Sequence, residues 1–381
     1  MNTGFRVSTD IPFGNACGIM VRENAGLTEV VFTPDPHGGP ECLWFCFRVI
    51  REVDGGSDRI RLVLRHGGNM LGGGKAENMR PVIRYEDGAW ERLGPGEKHL
   101  MPDGRSLVTW TMKAPATGMD VAYCYPYGPA DIAALVRDSS GYWHSGSIGV
   151  SQGGRPLARL SNDPGGEGSE RPGLYLVSRQ HSGETPGSWM LDGFLRHAMA
   201  HKEISPLIWA VPLANIDGVE AGDYGKDNFP YDLNRAWGEP PMRHEVLAIM
   251  NDIQRWKKRC APSLALDFHA PGACETEGIY VYLPNPKVSP LEHSEAHRWA
   301  AVVQCALAPE YDSADFARDA TYPERWETPT FTKYCWDRLV LPALTLEVPY
   351  AITKGRVMTM NDYRDAGERL AAAVFRKVTE G

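Results

Sequence analysis

Four short apolar runs in the second half of the chain each lead to a polar residue, and helical periodicity fills the gaps between them. The runs are Leu174–Val177 ahead of His181, Leu207–Leu213 ahead of Asn215, Leu264–Phe268 ahead of His269, and Leu341–Leu346 ahead of Glu347. Apolar runs of this length, bounded by turn residues, read as strands buried on both faces. Between them, Ser188–Met199 carries Trp189, Leu191, Phe194, Leu195 and Ala198 at helical spacing, and Pro241–Cys260, Leu291–Ala308 and Tyr363–Val378 read as further helices. Such alternation restricts the chain to an α/β fold, a largely parallel sheet flanked by helices. Ligands of open sheets bind beyond the carboxyl ends of the strands. His181, Asn215, His269 and Glu347 are therefore expected along one edge.

The first run delivers the densest chemistry: His181, then Gly183 and Glu184, with a helix expected from Gly187 or Ser188. An imidazole and a carboxylate three residues apart at a strand end can face one metal ion. Zinc takes such N and O ligands, and a catalytic site uses three of them plus a water. Alone, the pair is weak evidence. Two other pairs, His197 with His201 and His293 with His297, also lie one helical turn apart. The zinc-protease helix motif places Glu directly after the first His, and neither pair does, so both read as surface residues.

From the start to about Tyr125 the pattern has period two. Ile60, Leu62 and Leu64 alternate with Arg59, Arg61 and Arg65, the mark of a half-buried strand. Leu43–Ile50, Val82–Tyr85, Leu107–Met112 and Val121–Tyr125 are further strands, and Asp87-Gly88 has the chemistry of a tight turn between Val82–Tyr85 and Trp90–Leu93. Regularly spaced short strands predict an antiparallel β-sandwich over residues 1–125, ahead of a catalytic domain over 126–381. The glycines of Gly67-Gly68 and Gly72-Gly73-Gly74 punctuate a loop and lack the strand–helix setting of a phosphate cradle. Ala130–Val136 reads as a helix. The Gly- and Ser-rich stretch Ser139–Pro172 reads as irregular, with a short strand near Ile148.

At 381 residues and 43% hydrophobic, the chain can fill two cores. A net charge of −8 without a basic block argues against a nucleic-acid partner. No segment approaches the length of a membrane span, and Met1–Ala16 lacks the basic and apolar regions of an export signal. The eight cysteines are scattered without a Cys-x-x-Cys, and Cys42 and Cys46 read as core residues on one strand face. A reduced, cytoplasmic protein is expected.

Several ordered motifs carry a family likeness. They are Arg179-Gln180-His181-Ser182-Gly183-Glu184-Thr185-Pro186-Gly187-Ser188-Trp189, Asn215-Ile216-Asp217-Gly218-Val219 and Asp232-Leu233-Asn234-Arg235-Ala236-Trp237. Asp267-Phe268-His269 and Thr345-Leu346-Glu347 follow, with Trp44-Phe45-Cys46-Phe47 and Ala122-Tyr123-Cys124-Tyr125-Pro126-Tyr127 in the front domain. Together they resemble the zinc carboxypeptidase family, in particular its cytosolic-carboxypeptidase-like branch. The resemblance implies that His181, Glu184 and His269 hold one zinc ion per chain, with a fourth position open to water. It implies that Glu347 is the general base that deprotonates the water and passes the proton to the leaving amine. A charge at the end of an apolar run is costly without a partner, which adds weight to that role. Asn234 and Arg235 would grip a terminal carboxylate, for which a guanidinium fork is well shaped. Asp267 is either a group that orients a ligand or a strand-edge carboxylate.

The family likeness has departures. The branch places an oxyanion-stabilising arginine just after the Gly-Asn-Tyr element, where this chain reads Gly222-Asp223-Tyr224-Gly225-Lys226. Lys226 is the candidate replacement, and Asn215-Ile216 lacks the family's proline. Pro309–Arg338 reads as a lid or pocket wall, and Tyr322 is its nominated tyrosine donor. Arg318, Arg325 and Lys333 would suit an acidic C-terminal side chain, as in branch members that trim glutamates. The implied activity is hydrolysis of C-terminal peptide bonds of peptides or proteins. Two alternatives stand beside it: a zinc amidase acting on small N-acyl amino acids, and an inactive zinc-bound module that binds C-termini.

Overall fold

The strand–helix alternation of the second half folds as an eight-stranded mixed sheet. The strands lie in the order His144–Val150, Pro156–Ser161, Leu207–Val211, Pro172–Ser178, Ala261–His269, Ala343–Glu347, Ile279–Leu283, Asp312–Asp319. Its centre is parallel: Pro172–Ser178 pairs with Leu207–Val211 and with Ala261–His269, which pairs in turn with Ala343–Glu347. Antiparallel joints occur toward both edges, where Pro156–Ser161 meets Leu207–Val211 and Ile279–Leu283 meets Ala343–Glu347. In this computed structural model the described residues are 4–24, 26–39, 41–53, 57–86, 88–226, 231–321 and 328–380.

Alternation along a strand sends neighbours to opposite faces. Tyr175 faces the helix His244–Lys257, where its ring lies 5.5 Å from Trp256 and its hydroxyl donates to Asp252 at 3.0 Å. Ser178 points the other way and meets Ser188 of the helix Thr185–Ala200 at 3.2 Å. That helix also packs against Met360–Glu380. It begins at Thr185, earlier than the expected Gly187 or Ser188, because Pro186 fits the first turn, where no amide hydrogen bond is lost. Gly187 then lies so close to Phe268 that a Cβ would come within 2.8 Å of its backbone. The helix start is thereby pressed onto the end of the strand carrying His269.

The front half is a sandwich of two five-stranded sheets. Its pairings are antiparallel except that of Leu27–Thr33 with Arg59–Arg65, which is parallel. Ile60, Leu62 and Leu64 are fully buried, as their alternation requires, and the ring of Phe32 packs 5.0 Å from Phe45 and 4.7 Å from Phe47. Asp120 is buried between Arg48, at 2.5 and 2.9 Å, and Arg84 at 2.7 Å. Val82–Tyr85 and Glu91–Arg92 pair as a hairpin, while the expected turn residue Asp87 lies outside the described residues.

Three expectations need correcting. Ser139–Pro172 contains an edge hairpin, His144–Val150 with Pro156–Ser161, where the sequence suggests only a short strand near Ile148. Its outer strand is mostly exposed, so little apolar pattern marks it. Cys42 precedes the strand Cys46–Arg51 and does not share a strand face with Cys46. Pro309–Arg338, expected as a lid or pocket wall, is in part sheet: it contains the edge strand Asp312–Asp319, while Thr330, Thr332, Lys333, Trp336 and Asp337, in and around the short helix Phe331–Tyr334, do line the cavity described below.

The sandwich meets the sheet beside the carboxyl end of Ala261–His269. Tyr123 donates its hydroxyl proton to the Ala273 carbonyl at 2.7 Å, and Asn78 Nδ2 donates to the Cys274 carbonyl at 3.0 Å. The Ala273 amide donates to the Leu71 carbonyl at 2.8 Å. Gly72, at φ +70°, abuts Gly272 so closely that a Cβ would lie 2.8 Å from the Gly272 Cα. Only glycine satisfies both the left-handed backbone and the contact.

Candidate metal centre and substrate cavity

Ser178 ends its strand, and Arg179 turns the chain at φ +61°. The Arg179 guanidinium is buried and donates to the carbonyls of Ser182 at 2.7 Å and Tyr127 at 2.8 Å. This pins the loop that presents His181 and Glu184. His269 arrives from the adjacent parallel strand, where Ser178 is registered opposite Phe268. The three ligand atoms lie within 4.8 Å of one another, and all three residues are buried. His181 Nδ1 is 3.2 Å from His269 Nδ1, and the two Glu184 oxygens lie 2.9 Å and 2.8 Å from those nitrogens.

The far side of each ring is also held. His181 Nε2 lies 3.1 Å from Asp232 Oδ1, and His269 Nε2 lies 2.9 Å from Asp267 Oδ2. A carboxylate behind an imidazole fixes the proton on the far nitrogen and turns the near lone pair toward the ion. Two such rings and one carboxylate form a donor set that fits a catalytic divalent cation. Burial opposes charge on both imidazoles. Glu184 and Asp232 overcome it at His181 and raise that ring to about 8, while Asp267 and Glu184 raise His269. Burial likewise opposes ionisation of Glu184, and the two rings reverse it, holding the carboxyl well below its usual range. This is the charge balance of a site built to collect positive charge.

Gln180 ties the supporting groups together. Its Nε2 donates to Asp267 Oδ2 at 2.6 Å, and its Oε1 accepts from Trp237 Nε1 at 2.8 Å. Asn234 belongs to this scaffold: its Oδ1 accepts from the Phe331 amide at 3.1 Å, and its Nδ2 lies 3.2 Å from His269 Nε2. Arg235 stands beside it with Nη1 donating to the Asn234 carbonyl at 2.9 Å.

In front of the three ligands opens a cavity of about 630 Å³, lined among others by Lys226, Arg235, Tyr280 and Glu347. Glu347 ends its strand directly opposite His269 in the parallel register. Its Oε2 is buried and has no hydrogen-bond partner among the described residues. Burial first, then the Glu184 charge, pushes this carboxyl up to about 7 against the lowering pull of His269, Lys226 and His181. Among the described residues, no carboxylate lies within ion-pair distance of Lys226 or Arg235.

Of the residues singled out in the sequence, His181, Glu184, His269, Glu347, Lys226, Asn234 and Arg235 all line this cavity. Tyr322 lies outside the described residues. Asn215 does not join them: its side chain caps the helix Ile216–Ala221, accepting from the Gly218 amide at 3.2 Å. His197 and His201 stack on each other at 4.1 Å, and no third metal-binding side chain joins either helical pair among the described residues. The sequence alone does not single out Asp232 or Tyr280. Asp232 sits three residues before Arg235 inside a motif already recognised, so its position was the available signal. Tyr280 lies in Ile279–Leu283, an alternating aromatic run that reads as a strand once a partner is known, and it is registered opposite Glu347.

The fold and donor set together define a metallocarboxypeptidase architecture. A solved metallo-carboxypeptidase from Burkholderia cenocepacia matches with a TM-score of 0.78 over 99% of both chains, at 18% identity. In sequence, the chain's relatives are cytosolic carboxypeptidases, in line with the motif resemblance. Cytosolic carboxypeptidase 2 of Xenopus tropicalis is 26% identical over 298 residues, 69% of this chain and 30% of that protein. Cytosolic carboxypeptidase 6 of Mus musculus is 32% identical over 192 residues, 45% of this chain and 36% of that protein. The match thus spans about a third of the length of these relatives. No family model matches the chain. Among the described residues no helix is long and apolar enough to cross a membrane.

Proposed function

We propose that the chain is a zinc metallocarboxypeptidase that hydrolyses the last peptide bond of peptides or proteins in the cytoplasm, with its catalytic domain starting near residue 126. The observation that carries this reading is one cavity holding three convergent ligands, a buried carboxylate oxygen of Glu347 with no hydrogen-bond partner among the described residues, and the guanidinium of Arg235 with no carboxylate partner among them. Zinc, held by His181, Glu184 and His269, would supply Lewis acidity toward the scissile carbonyl.

The chain's own groups do the rest. Arg235 anchors the terminal carboxylate through two-point hydrogen bonding, and this fixes which peptide bond stands beside Glu347. Glu347 takes a proton from water as the oxygen attacks the carbonyl carbon. It then hands the same proton to the departing amine nitrogen, and the C–N bond breaks. A carboxylate raised by burial is suited to both transfers near neutral pH. Lys226 offers a positive charge to the developing oxyanion, though an ammonium on a flexible stem fits a planar site less well than a guanidinium. Asn234, whose Oδ1 accepts from the Phe331 amide, lines the cavity beside Arg235 and shares the grip on the terminal carboxylate. Tyr322 remains the nominated tyrosine donor.

A cavity of about 630 Å³ is larger than a single amino acid requires, which favours a peptide over a small N-acyl amino acid. The test is release of C-terminal residues from a peptide library by the zinc-loaded protein and by Glu347→Gln. Release by the wild type alone is expected. Equal signals from the two proteins would leave only the binding module, and faster turnover of N-acyl amino acids than of peptides would favour the amidase.

A further inference from the structure

The wall between Arg235 and Glu347 is where the side chain of the terminal residue must lie, given the carboxypeptidase reading above. That wall is visible in detail. Thr345 sits two residues before Glu347 on the same strand, so both point to the same face. Its hydroxyl donates to Thr332 Oγ1 at 3.3 Å, and Thr332 Oγ1 lies 3.2 Å from Thr330 Oγ1. The segment bearing Thr330 and Thr332 touches the anchor directly, through the Phe331 amide bound to Asn234. Trp336 closes the floor, its indole tied to the Ala343 carbonyl at 3.0 Å.

Among the described residues, the cations expected to draw an acidic side chain to this wall are already paired. The acidic preference implied by the family likeness leaned on Arg318, Arg325 and Lys333. Lys333 lines the cavity together with Asp337 one turn later, and the two pair at 2.9 Å. Arg318 is shared among Glu277 at 3.1 Å, Asp315 at 3.5 Å and Glu275 at 3.8 Å, and its guanidinium stacks 3.5 Å over the Tyr280 ring. Arg325 lies outside the described residues.

We infer that the terminal-residue pocket is a neutral, hydroxyl-lined site that selects uncharged hydrogen-bonding side chains such as glutamine over glutamate and lysine. A glutamate carboxylate entering it would have to compete with Asp337 for Lys333. A lysine would meet Lys333 itself. Glutamine, with the shape of glutamate, would donate to and accept from the threonine hydroxyls without disturbing the pair. Specificity of this kind rests on repelling the wrong charge as much as on attracting the right group.

Three peptides identical except for a terminal Gln, Glu or Lys provide the test. The zinc-loaded wild type is expected to cleave the Gln peptide with a kcat/KM at least about fivefold above either other. Equal or faster cleavage of the Glu peptide would overturn the inference. Asp337→Asn frees Lys333 and should raise the Glu-to-Gln ratio of kcat/KM by about fivefold, and Lys333→Met should raise the Lys-to-Gln ratio similarly. Each ratio is taken within one variant, so partial misfolding cancels, and unmoved ratios would remove the pair from the specificity device. If none of the peptides is cleaved, the hydrolytic reading fails by itself. The pocket is then judged from peptide affinities of Glu347→Gln, where Glu binding as tightly as Gln overturns it.

Discussion

The sandwich buries a carboxylate in the middle of a strand and the larger sheet buries one at a strand end, and the two are treated in opposite ways. In the sandwich, Asp120 is gripped by Arg48 and Arg84, which overcome its burial and hold the carboxyl below its ordinary range. In the catalytic sheet, Glu347 keeps one oxygen without a hydrogen-bond partner among the described residues, and burial drives its carboxyl up. Asp120 is a fastener. Glu347 is a group whose position costs stability, and such a cost persists where the strained group serves function. The contrast points to the same part of the chain as the candidate metal site.

The largest expected break between the two is kinetic. Glu347→Gln should lower kcat/KM about a thousandfold with zinc content by metal analysis unchanged, whereas Asp120→Asn should leave kcat/KM of the folded protein at wild-type level. Lys226→Met comes next, with a loss of about a hundredfold concentrated in kcat and little change in KM, read by steady-state kinetics on one peptide. A fall in kcat/KM carried by KM alone would instead make Lys226 a ground-state binder.

The remaining expectations concern stability and have opposite signs. Asp120→Asn should cost about 2 kcal/mol in denaturant unfolding at pH 7. The folded pKa of Asp120 is depressed, so its contribution is present above the unfolded value of about 4 and fades as pH falls through the lower folded value. Glu347 has a raised folded pKa, so its ionisation penalises the fold fully above about 7 and not at all below its unfolded value. The zinc-free Glu347→Gln protein should therefore melt above the zinc-free wild type at pH 8, and the gap should shrink by pH 5. A Glu347→Gln protein that melts lower at pH 8 would mean that this carboxylate is a fastener too.

The sheet's centre was legible in the sequence because parallel strands buried on both faces are largely apolar, as Leu174–Val177 is throughout and Leu264–Phe268 is except at Asp267. Its edges were not. Asp312–Asp319 reads Asp-Ser-Ala-Asp-Phe-Ala-Arg-Asp, poor in the β-branched and aromatic residues that favour strands, and it is extended because Ile279–Leu283 pairs with it. The three residues of the candidate metal site could be named in advance because they lie at or just past strand ends and fall in the motifs that carry the family resemblance. Asp232 needed coordinates, since only the fold brings a residue 51 positions after His181 to that ring's far nitrogen. Asn215 was misjudged for a related reason: a strand-end position does not tell whether a side chain turns into the cleft or folds back to cap the next helix.

One rim of the cleft belongs to the front half of the chain, where Leu71 and Gly72 lie against Gly272 just beyond His269. Rim and hydrolytic floor are thus encoded some two hundred residues apart and by different architectures. Lengthening the glycine-rich loop around Gly72 by a single residue would reshape the entrance and leave every group that handles protons where it is. Under the proposed function, such a division would let the range of admitted ligands change while the candidate metal site stays fixed.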